Sequence, residues 1–331
     1  RHSLLIKDHS KEKGEALNSK FAQNMVATGD LSALLSEKHE TVLVDLLSPE
    51  HFARRHIPGA KNACVFQVSF LDDLAVAAPD KQVSIVVYGA SARCQDAAMA
   101  LEKLDRAGYK HVTFLKGGLE AWREAGYDLE GEATDLQDDP QTTVTLPDGQ
   151  YTVDPGASRV EWAGRNPNTC HIGTVDIAEG VIDIKDRAIT GRVEIDMNTI
   201  HNINLEGDEL QPVLEGHLRS DDFFFTKMFP KAVFSFKEAK RLEPGWLTAP
   251  NYHVKGELNL RGVSADLEFD ATVAPFEEGS FVLEAHFDID RTRWNVIYGS
   301  TRFFEYLGMH KVFDLLSFQI RLIVARYIVV T

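Results

Sequence analysis

Cysteine, basic charge and long apolar runs are all scarce in this 331-residue sequence. Its three cysteines, Cys64, Cys94 and Cys170, form no C-x-x-C pair and cannot all pair with one another, so a disulfide framework is excluded and one bridge at most remains. Reduced thiols are the simpler interpretation. They favour a cytoplasmic location, and a periplasmic one stays open as the alternative.

The chain carries more acidic than basic residues. Fifty Asp and Glu against 35 Lys and Arg give a net charge of −15, which repels nucleic acid phosphates and anionic membrane surfaces, so we expect no nucleic acid partner. No run approaches the roughly 18 to 20 apolar residues of a transmembrane helix, so we expect no membrane span. Residues 1–13 are too polar for the core of a signal peptide, although a signal that has been removed stays an alternative.

The first half of the chain alternates strand and helix patterns. Apolar runs at 42–45, 83–88 and 111–115 are each followed by a helical pattern, an order that predicts βαβ units and a mainly parallel sheet.

Beyond Tyr151 the apolar period changes from helical to two. Strands with one buried and one solvated face are predicted at 188–196, 232–236, 252–260, 265–273 and 281–289. About eight such strands with short turns indicate an antiparallel barrel or sandwich. Helical patterns interrupt the strands at 209–218 and 301–307.

The length suits two domains, because single cores rarely grow beyond roughly 250–300 residues. An acidic stretch with two prolines, 128–149, has little to bury and is interpreted as a linker. We therefore predict an N-terminal extension at 1–27, an α/β parallel-sheet domain at 28–127 and an antiparallel β-barrel domain at 150–331.

A short loop after the central apolar run is the first candidate site. It lies between the strand that ends at Tyr88 and a helix that carries Leu101 and Leu104 on one face. Backbone N–H groups and the positive end of the helix dipole converge at such a position, which favours an anion. The predicted anion-binding residues are Gly89, Ala90, Ser91, Ala92, Arg93 and Cys94.

Short motifs span the whole first domain. They are Val44-Asp45, Ser48-Pro-Glu50, His56-Ile-Pro-Gly-Ala60, Val86-Val-Tyr88, Ala107-Gly-Tyr109 and Leu115-Lys-Gly-Gly-Leu-Glu-Ala-Trp122. In these motifs the domain resembles the rhodanese family of sulfurtransferases. The resemblance implies a cysteine at the first loop position that accepts a sulfane sulfur, and here that position is Gly89, while Cys94 matches a second cysteine of one family variant.

Two interpretations of Cys94 stay open. Beside Arg93 in the first turn of the predicted helix, it could be an activated thiol that serves as a displaced nucleophile or a redox group. The favoured alternative is a small, half-buried residue without chemistry. Leu46-Leu47 follows Asp45 where active relatives often carry arginine, which argues against catalysis. A Cys64–Cys94 bridge is a further alternative.

A second set of motifs covers the barrel domain. It comprises Tyr151-Thr-Val-Asp-Pro155, Ser158-Arg-Val-Glu-Trp162, His171-Ile-Gly173, His217-Leu-Arg-Ser-Asp-Asp-Phe-Phe224, Phe234-Ser-Phe236, Gly256-Glu-Leu-Asn-Leu-Arg-Gly-Val263 and Ile289-Asp-Arg-Thr-Arg-Trp-Asn-Val296. In these the domain resembles the YceI-like family, lipocalin-like barrels that bind polyisoprenoids or similar long amphiphiles. The resemblance implies a dry lumen for the lipid tail, with polar groups at its mouth.

The inward faces of the predicted strands supply the candidate lipid-binding residues, although each could equally be plain core. They are Trp162, Phe223, Phe224, Phe234, Phe236, Leu258, Leu260, Phe287 and Trp294. Candidate head-group residues are His171, His217, Arg219, Arg291 and Arg293. His286, Asp288 and Asp290 share one strand face, but alternating polar residues are typical of any solvated strand, so no metal site is predicted.

Together these features predict a bacterial two-domain protein whose barrel binds or carries an isoprenoid-like lipid, a quinone or a fatty-acid-like lipid, with no required cofactor. The rhodanese-like domain is predicted to bind a sulfur compound or a protein partner at its loop, with impaired catalysis. The alternative is an active sulfurtransferase or thiol redox enzyme that uses Cys94. The sequence also allows a homodimer.

Overall fold

The computed structural model describes residues 24–36, 40–135, 143–186 and 188–326. The chain divides into two compact units between residues 138 and 139. Most of the predicted extension, part of the predicted linker and the last five residues of the predicted barrel domain lie outside the described residues.

The N-terminal unit is built on a parallel sheet. Its strands are β1 (Met25–Val26), β2 (Thr41–Asp45), β3 (Lys61–Asn62), β4 (Ser84–Tyr88) and β5 (His111–Leu115). Its helices are α1 (Thr28–Ser36), α2 (Pro49–Arg54), α3 (Phe70–Ala77), α4 (Asp96–Ala107) and α5 (Gly118–Glu124). The strand order is β1-β5-β4-β2-β3, and each neighbouring pair is parallel, as the alternation of strands and helices predicted.

The central strand β4 explains why its sequence is continuously apolar. Ile85 and Val87 pack into one core with residues of α3 and α4, whereas Val86 and Tyr88 face a second core with residues of α1 and α5. Because successive side chains point to opposite faces, a strand covered by helices on both sides needs apolar residues at every position.

The C-terminal unit is an antiparallel barrel with one helix. Its strands are β6 (Gly149–Val153), β7 (Arg159–Arg165), β8 (Cys170–Lys185), β9 (Ala188–Asn202), β10 (Lys231–Arg241), β11 (Tyr252–Leu260), β12 (Val263–Pro275), β13 (Ser280–Asp290) and β14 (Leu315–Arg326), and the helix is α6 (Gln211–Arg219). Strands β7 to β14 pair in chain order, and β14 pairs back to β7, so eight strands close a ring. β6 adds to β8 and β14.

One predicted helical segment is wrong. The helix predicted at 209–218 is present as α6, but residues 301–307 form turns, followed by one 3-10 turn at Gly308–His310. Tyr306 has a φ of 56°, in the left-handed region that a continuing helix cannot contain.

The inner surface of the barrel is closely fitted around Gly191 of β9. A Cβ atom there would lie 2.6 Å from Cζ of Phe236 and 2.9 Å from the carbonyl oxygen of Val181. Gly191→Ala should therefore lower the free energy of unfolding of the barrel by about 1–3 kcal/mol, as overpacking does.

Gly216→Ala in α6 is the matched control, because a Cβ atom at Gly216 meets nothing within 4 Å. At that exposed position of the helix the same change should stabilise by roughly 0.5–1 kcal/mol. Chemical denaturation of both variants checks the pair. Equal effects of the two substitutions would contradict this account of Gly191.

Candidate functional site

The interior of the barrel is a cavity of about 330 Å³. Its volume falls in the ~300–1,000 Å³ range of small-molecule sites. Eight of the nine predicted lipid-binding residues line it, namely Trp162, Phe223, Phe224, Phe234, Phe236, Leu258, Leu260 and Phe287. The wall is therefore almost wholly aliphatic and aromatic.

The ninth predicted residue, Trp294, does not line the cavity. It is fully buried in a 3-10 turn, Arg291–Trp294, that follows β13, and its indole N–H donates to the carbonyl of Leu258 at 2.7 Å. Trp294 lies in the core because Asp290, whose side chain accepts from the N–H of Thr292, ends β13 and starts the turn that carries this tryptophan.

Among the described residues, charged, amide and histidine side chains enter the cavity lining from three segments. These are the hairpin between β7 and β8 with Arg165, Asn166 and His171, helix α6 with His217, and the turn with Arg291. Contacts join these segments at one end of the barrel: the N–H of Phe313 donates to Arg165, the N–H of Arg291 donates to Asp314, and the rings of His217 and Tyr298 meet edge-on. We call this end the mouth.

His217 is held at the mouth by an acidic partner and two rings. Its Nε2 lies 3.0 Å from Oδ2 of Asp222, and its ring meets those of Phe223 and Tyr298 edge-on, with centroids 4.9 Å apart in each case. Because a carboxylate only accepts, Nε2 carries the proton of this hydrogen bond. In the neutral ring, Nδ1 is then the acceptor.

His171 presents a buried polar atom to the same region. Its Nε2 lies 3.2 Å from the hydroxyl of Thr169, while Nδ1 is buried and has no hydrogen-bond partner among the described residues. A buried polar atom without a partner is costly, unless a ligand or water supplies one.

Arg291 builds the mouth through its hydrogen bonds. It is 1% exposed, and its guanidinium donates to the backbone carbonyls of Val296, Tyr298, Val312 and Phe313 at 2.6–3.1 Å. Burial lowers the pKa of this guanidinium, and the nearby Asp314 opposes that change.

The other two predicted head-group arginines do not line the cavity. Arg219 donates to the carbonyl of Ile200 and to Glu215. Arg293 donates to the carbonyl of Asp266 and lies over the ring of Trp294. Each of these guanidiniums binds groups of its own domain.

The second candidate site, the loop of residues 89–94, follows β4. Helix α4 begins at Asp96, so Cys94 precedes the helix and does not lie in its first turn as predicted. Cys94 is exposed, with Sγ 3.5 Å from the hydroxyl of Ser91, and it is a free thiol, as are Cys64 and Cys170. No bridge joins Cys64 to Cys94.

Sequence reasoning missed the residue that fills this loop, Asp96. Its side chain is 5% exposed and turns back over Gly89, where Oδ2 accepts the N–H of Ala90 at 2.9 Å and Oδ1 accepts that of Ala97 at 2.8 Å. Burial raises the pKa of Asp96, against these two hydrogen bonds. The signal in the sequence was an acidic residue at the start of a helix, which usually indicates only a solvated charge.

Comparison with known families decides the identity of both units. A YceI-like domain matches residues 151–323, which is more than half of the 331 residues, and a rhodanese-like domain matches residues 27–125. The chain belongs to the YceI-like family. Its N-terminal unit is a rhodanese-like domain.

Individual relatives match one unit each. YibN of Escherichia coli K12 is 30% identical over 108 residues, which is 33% of this chain and 71% of YibN. For the YceI-like barrel, BcnA of Burkholderia cenocepacia is 19% identical, covers 52% of this chain and 99% of its own, and superposes with a TM-score of 0.42. A polyisoprenoid binding domain from Saccharophagus degradans is 15% identical, covers 54% and 98%, and has a TM-score of 0.39.

No helix of the described residues is long and apolar enough to cross a membrane. They also contain no group of three or more His, Cys, Asp or Glu side chains that could hold a metal ion. Asp290, one of the strand-face residues weighed as a ligand, pairs with Arg302 at 2.7 Å.

A second buried carboxylate, Asp45, lies at the end of β2 in the rhodanese-like domain. It is 0% exposed, and its Oδ1 accepts the N–H of Leu47 at 2.7 Å. Burial raises the pKa of Asp45 to about 6, and the nearby charge of Asp96 adds to that increase. The folded state therefore holds a proton that the unfolded chain releases near its ordinary pKa of about 4.

The raised pKa of Asp45 predicts a pH-dependent stability. Between pH 4 and 6 the folded state binds more protons than the unfolded state, so the contribution of Asp45 to stability falls as pH rises through that window and stays low above it. Asp45→Asn should remove this loss of stability, because asparagine does not titrate. The difference in free energy of unfolding between the variant and the parent should therefore change by up to about 3 kcal/mol in favour of the variant between pH 4 and pH 7.

The prediction is checked by amide hydrogen exchange in β4, a strand of the rhodanese-like domain. Its exchange rates report the free energy of opening of that domain and not of the barrel. The parent protein at each pH is the reference. A difference between the two proteins that does not change with pH would show that Asp45 titrates normally.

Proposed function

We propose that the YceI-like barrel binds a polyisoprenoid or a similar long amphiphile, with the apolar chain in the cavity and the polar end at the mouth. The observation that carries this proposal is the division of the lining: aliphatic and aromatic side chains surround the cavity, and the charged, amide and histidine groups gather at one end. Burial of an apolar chain contributes about 25 cal/mol per Å², so a dry lumen suffices for affinity.

The polar end of the ligand is uncharged in this proposal. Of the two cations in the lining, Arg291 directs its guanidinium to backbone carbonyls, and Arg165 donates to the hydroxyl of Ser317. Residues 205–229, which include α6, carry six Asp and Glu against two Lys and Arg. Their negative potential disfavours a phosphate at the mouth.

The two histidines are the groups that we assign to the ligand's polar end. With the tautomer that leaves Nδ1 unprotonated, the buried Nδ1 of His171 and the Nδ1 of His217 can each accept a hydrogen bond from a hydroxyl. This supports an alcohol or a hydroquinone. A quinone carbonyl would need the tautomer that donates.

The rhodanese-like domain is proposed to bind a protein partner, or a sulfur compound that is not an anion, rather than to transfer sulfur at position 89, where no nucleophile is present. Thiol chemistry at Cys94 is the second candidate, and the exposure of its thiol supports it. Incubation with thiosulfate distinguishes the two candidates. Formation of a persulfide in the parent protein, and its loss in Cys94→Ser, would support thiol chemistry at Cys94.

Cavity filling tests the lipid proposal. Ala232 of β10 lines the cavity, so Ala232→Phe should take up lumen and weaken binding of a polyprenol at least tenfold, which corresponds to about 1.4 kcal/mol. Ser235→Phe, on the exposed face of the same strand, is the matched control and should change affinity less than twofold. Fluorescence titration measures both, and thermal unfolding confirms that both variants are folded. Equal affinities in the two variants would contradict a ligand in the lumen.

The charge of the polar end is tested with a matched pair of ligands. A polyprenol and the polyprenyl phosphate of the same chain length differ only at that end, and we expect the alcohol to bind more tightly. Mass spectrometry of lipids extracted from protein purified from its own host identifies the natural occupant. Tighter binding of the phosphate would refute the uncharged end while leaving the lumen proposal intact.

A further inference from the structure

The loop after β4 in the rhodanese-like domain contains a space that one of two side chains can fill, but not both. A Cβ atom built on Gly89 would lie 2.0 Å from Cγ of Asp96 and 2.0–2.1 Å from its two carboxylate oxygens. The carboxylate therefore occupies the volume into which any side chain at position 89 would project.

Asp96 is fixed in that volume by the backbone of the loop. Its oxygens accept the N–H groups of Ala90 and Ala97, and only 5% of its surface is exposed. The other side of the loop is fixed too, because the carbonyls of Gly89 and Ala90 accept the N–H groups of Leu119 and Glu120 in α5. The carboxylate thus has the place, the donors and the charge expected of a bound anion.

We propose that Asp96 is an internal anion that closes this loop. It occupies the place of a small sulfur oxyanion or of a cysteine persulfide, so an external anion binds only when the carboxylate is removed from the loop. Gly89 and Asp96 depend on each other: the glycine makes room for the carboxylate, and the carboxylate excludes a thiol at position 89. The contact between Gly89 and Asp96 is autoinhibitory, because it prevents an anion from binding to the loop. This proposal does not depend on which ligand the barrel binds.

The first test measures protection of the full-length protein by thiosulfate. Asp96→Ser and Asp96→Asn remove the charge, and a ligand that binds only the folded state raises the unfolding temperature. We expect thiosulfate, compared with chloride at equal ionic strength, to raise the unfolding temperature of the rhodanese-like domain in at least one of these variants and to have no such effect on the parent.

Glu102→Ser is the matched control for this test, because Glu102 is a carboxylate on the same helix that pairs with Arg106 at the surface. General salt effects on stability act on all four proteins alike. Equal protection of parent and variants, or no protection of any protein, would overturn the proposal. The use of two different replacements keeps the test decisive if one of them unfolds.

The second test places a thiol in the loop. In a background of Cys94→Ser and Cys170→Ser, which removes both exposed native thiols, Gly89→Cys is compared with Gly89→Cys combined with Asp96→Ser, and each is alkylated with iodoacetate and with iodoacetamide. In both reactions the thiolate of the introduced cysteine forms the carbon–sulfur bond and iodide leaves, so the reagents differ mainly in charge. The ratio of the two rates therefore reports whether the loop accepts an anion.

We expect the ratio of the iodoacetate rate to the iodoacetamide rate to rise at least tenfold when Asp96 is replaced. We also expect Gly89→Cys alone to lower the unfolding temperature, since its Cβ meets the carboxylate. Ratios that agree within twofold in the two folded variants would show that Asp96 does not keep anions out of the loop.

Discussion

Closure of the barrel by β14 is the interaction on which the cavity depends. This strand pairs with β13 on one side and with β7 on the other, and Phe318 lies opposite Phe287 and Trp162 in the two registers. All three side chains line the cavity. Because a closed ring satisfies the backbone of every strand without an edge, the inward side chains need not collapse onto one another to hold the sheet together. The lumen is thus a product of backbone pairing.

The mouth follows from a second constraint, the burial of Arg291. Four backbone carbonyls from the segment 296–313 surround its guanidinium, so this segment cannot follow the barrel as a strand. It forms turns that place Tyr298 and Val312 in the cavity lining. The buried Arg291 therefore shapes the mouth, and His171 and His217 supply the polar contacts that we assign to a ligand.

The fold could be predicted from the sequence where one local pattern governs a whole element. Period-two alternation identified 252–260 with the bounds that β11 has, and continuous apolarity identified the parallel strands, whose two faces are both covered. Prediction is weakest beyond the end of a strand, as after Asp290, because the turn that a side-chain cap starts there has no repeating pattern. Trp294 and Arg293 lie in that turn and do not line the cavity.

The burial of Asp96 in the loop could not be predicted from the sequence, for a different reason. Its position at a helix start is visible in the sequence, but its burial depends on how the loop turns between Gly89 and the helix, which is a tertiary property. The consequence for the rhodanese-like domain is electrostatic. Loss of a nucleophile alone would leave backbone donors and a helix dipole that attract anions.

With Asp96 in place the N–H of Ala90 is satisfied, and the buried Asp45 adds a second carboxylate whose pKa the first one raises. In our proposal an approaching anion meets the carboxylate of Asp96 where an open loop would offer this N–H group. Glycine at position 89 is the steric condition for this reversal, because every other residue would place a Cβ atom within the carboxylate.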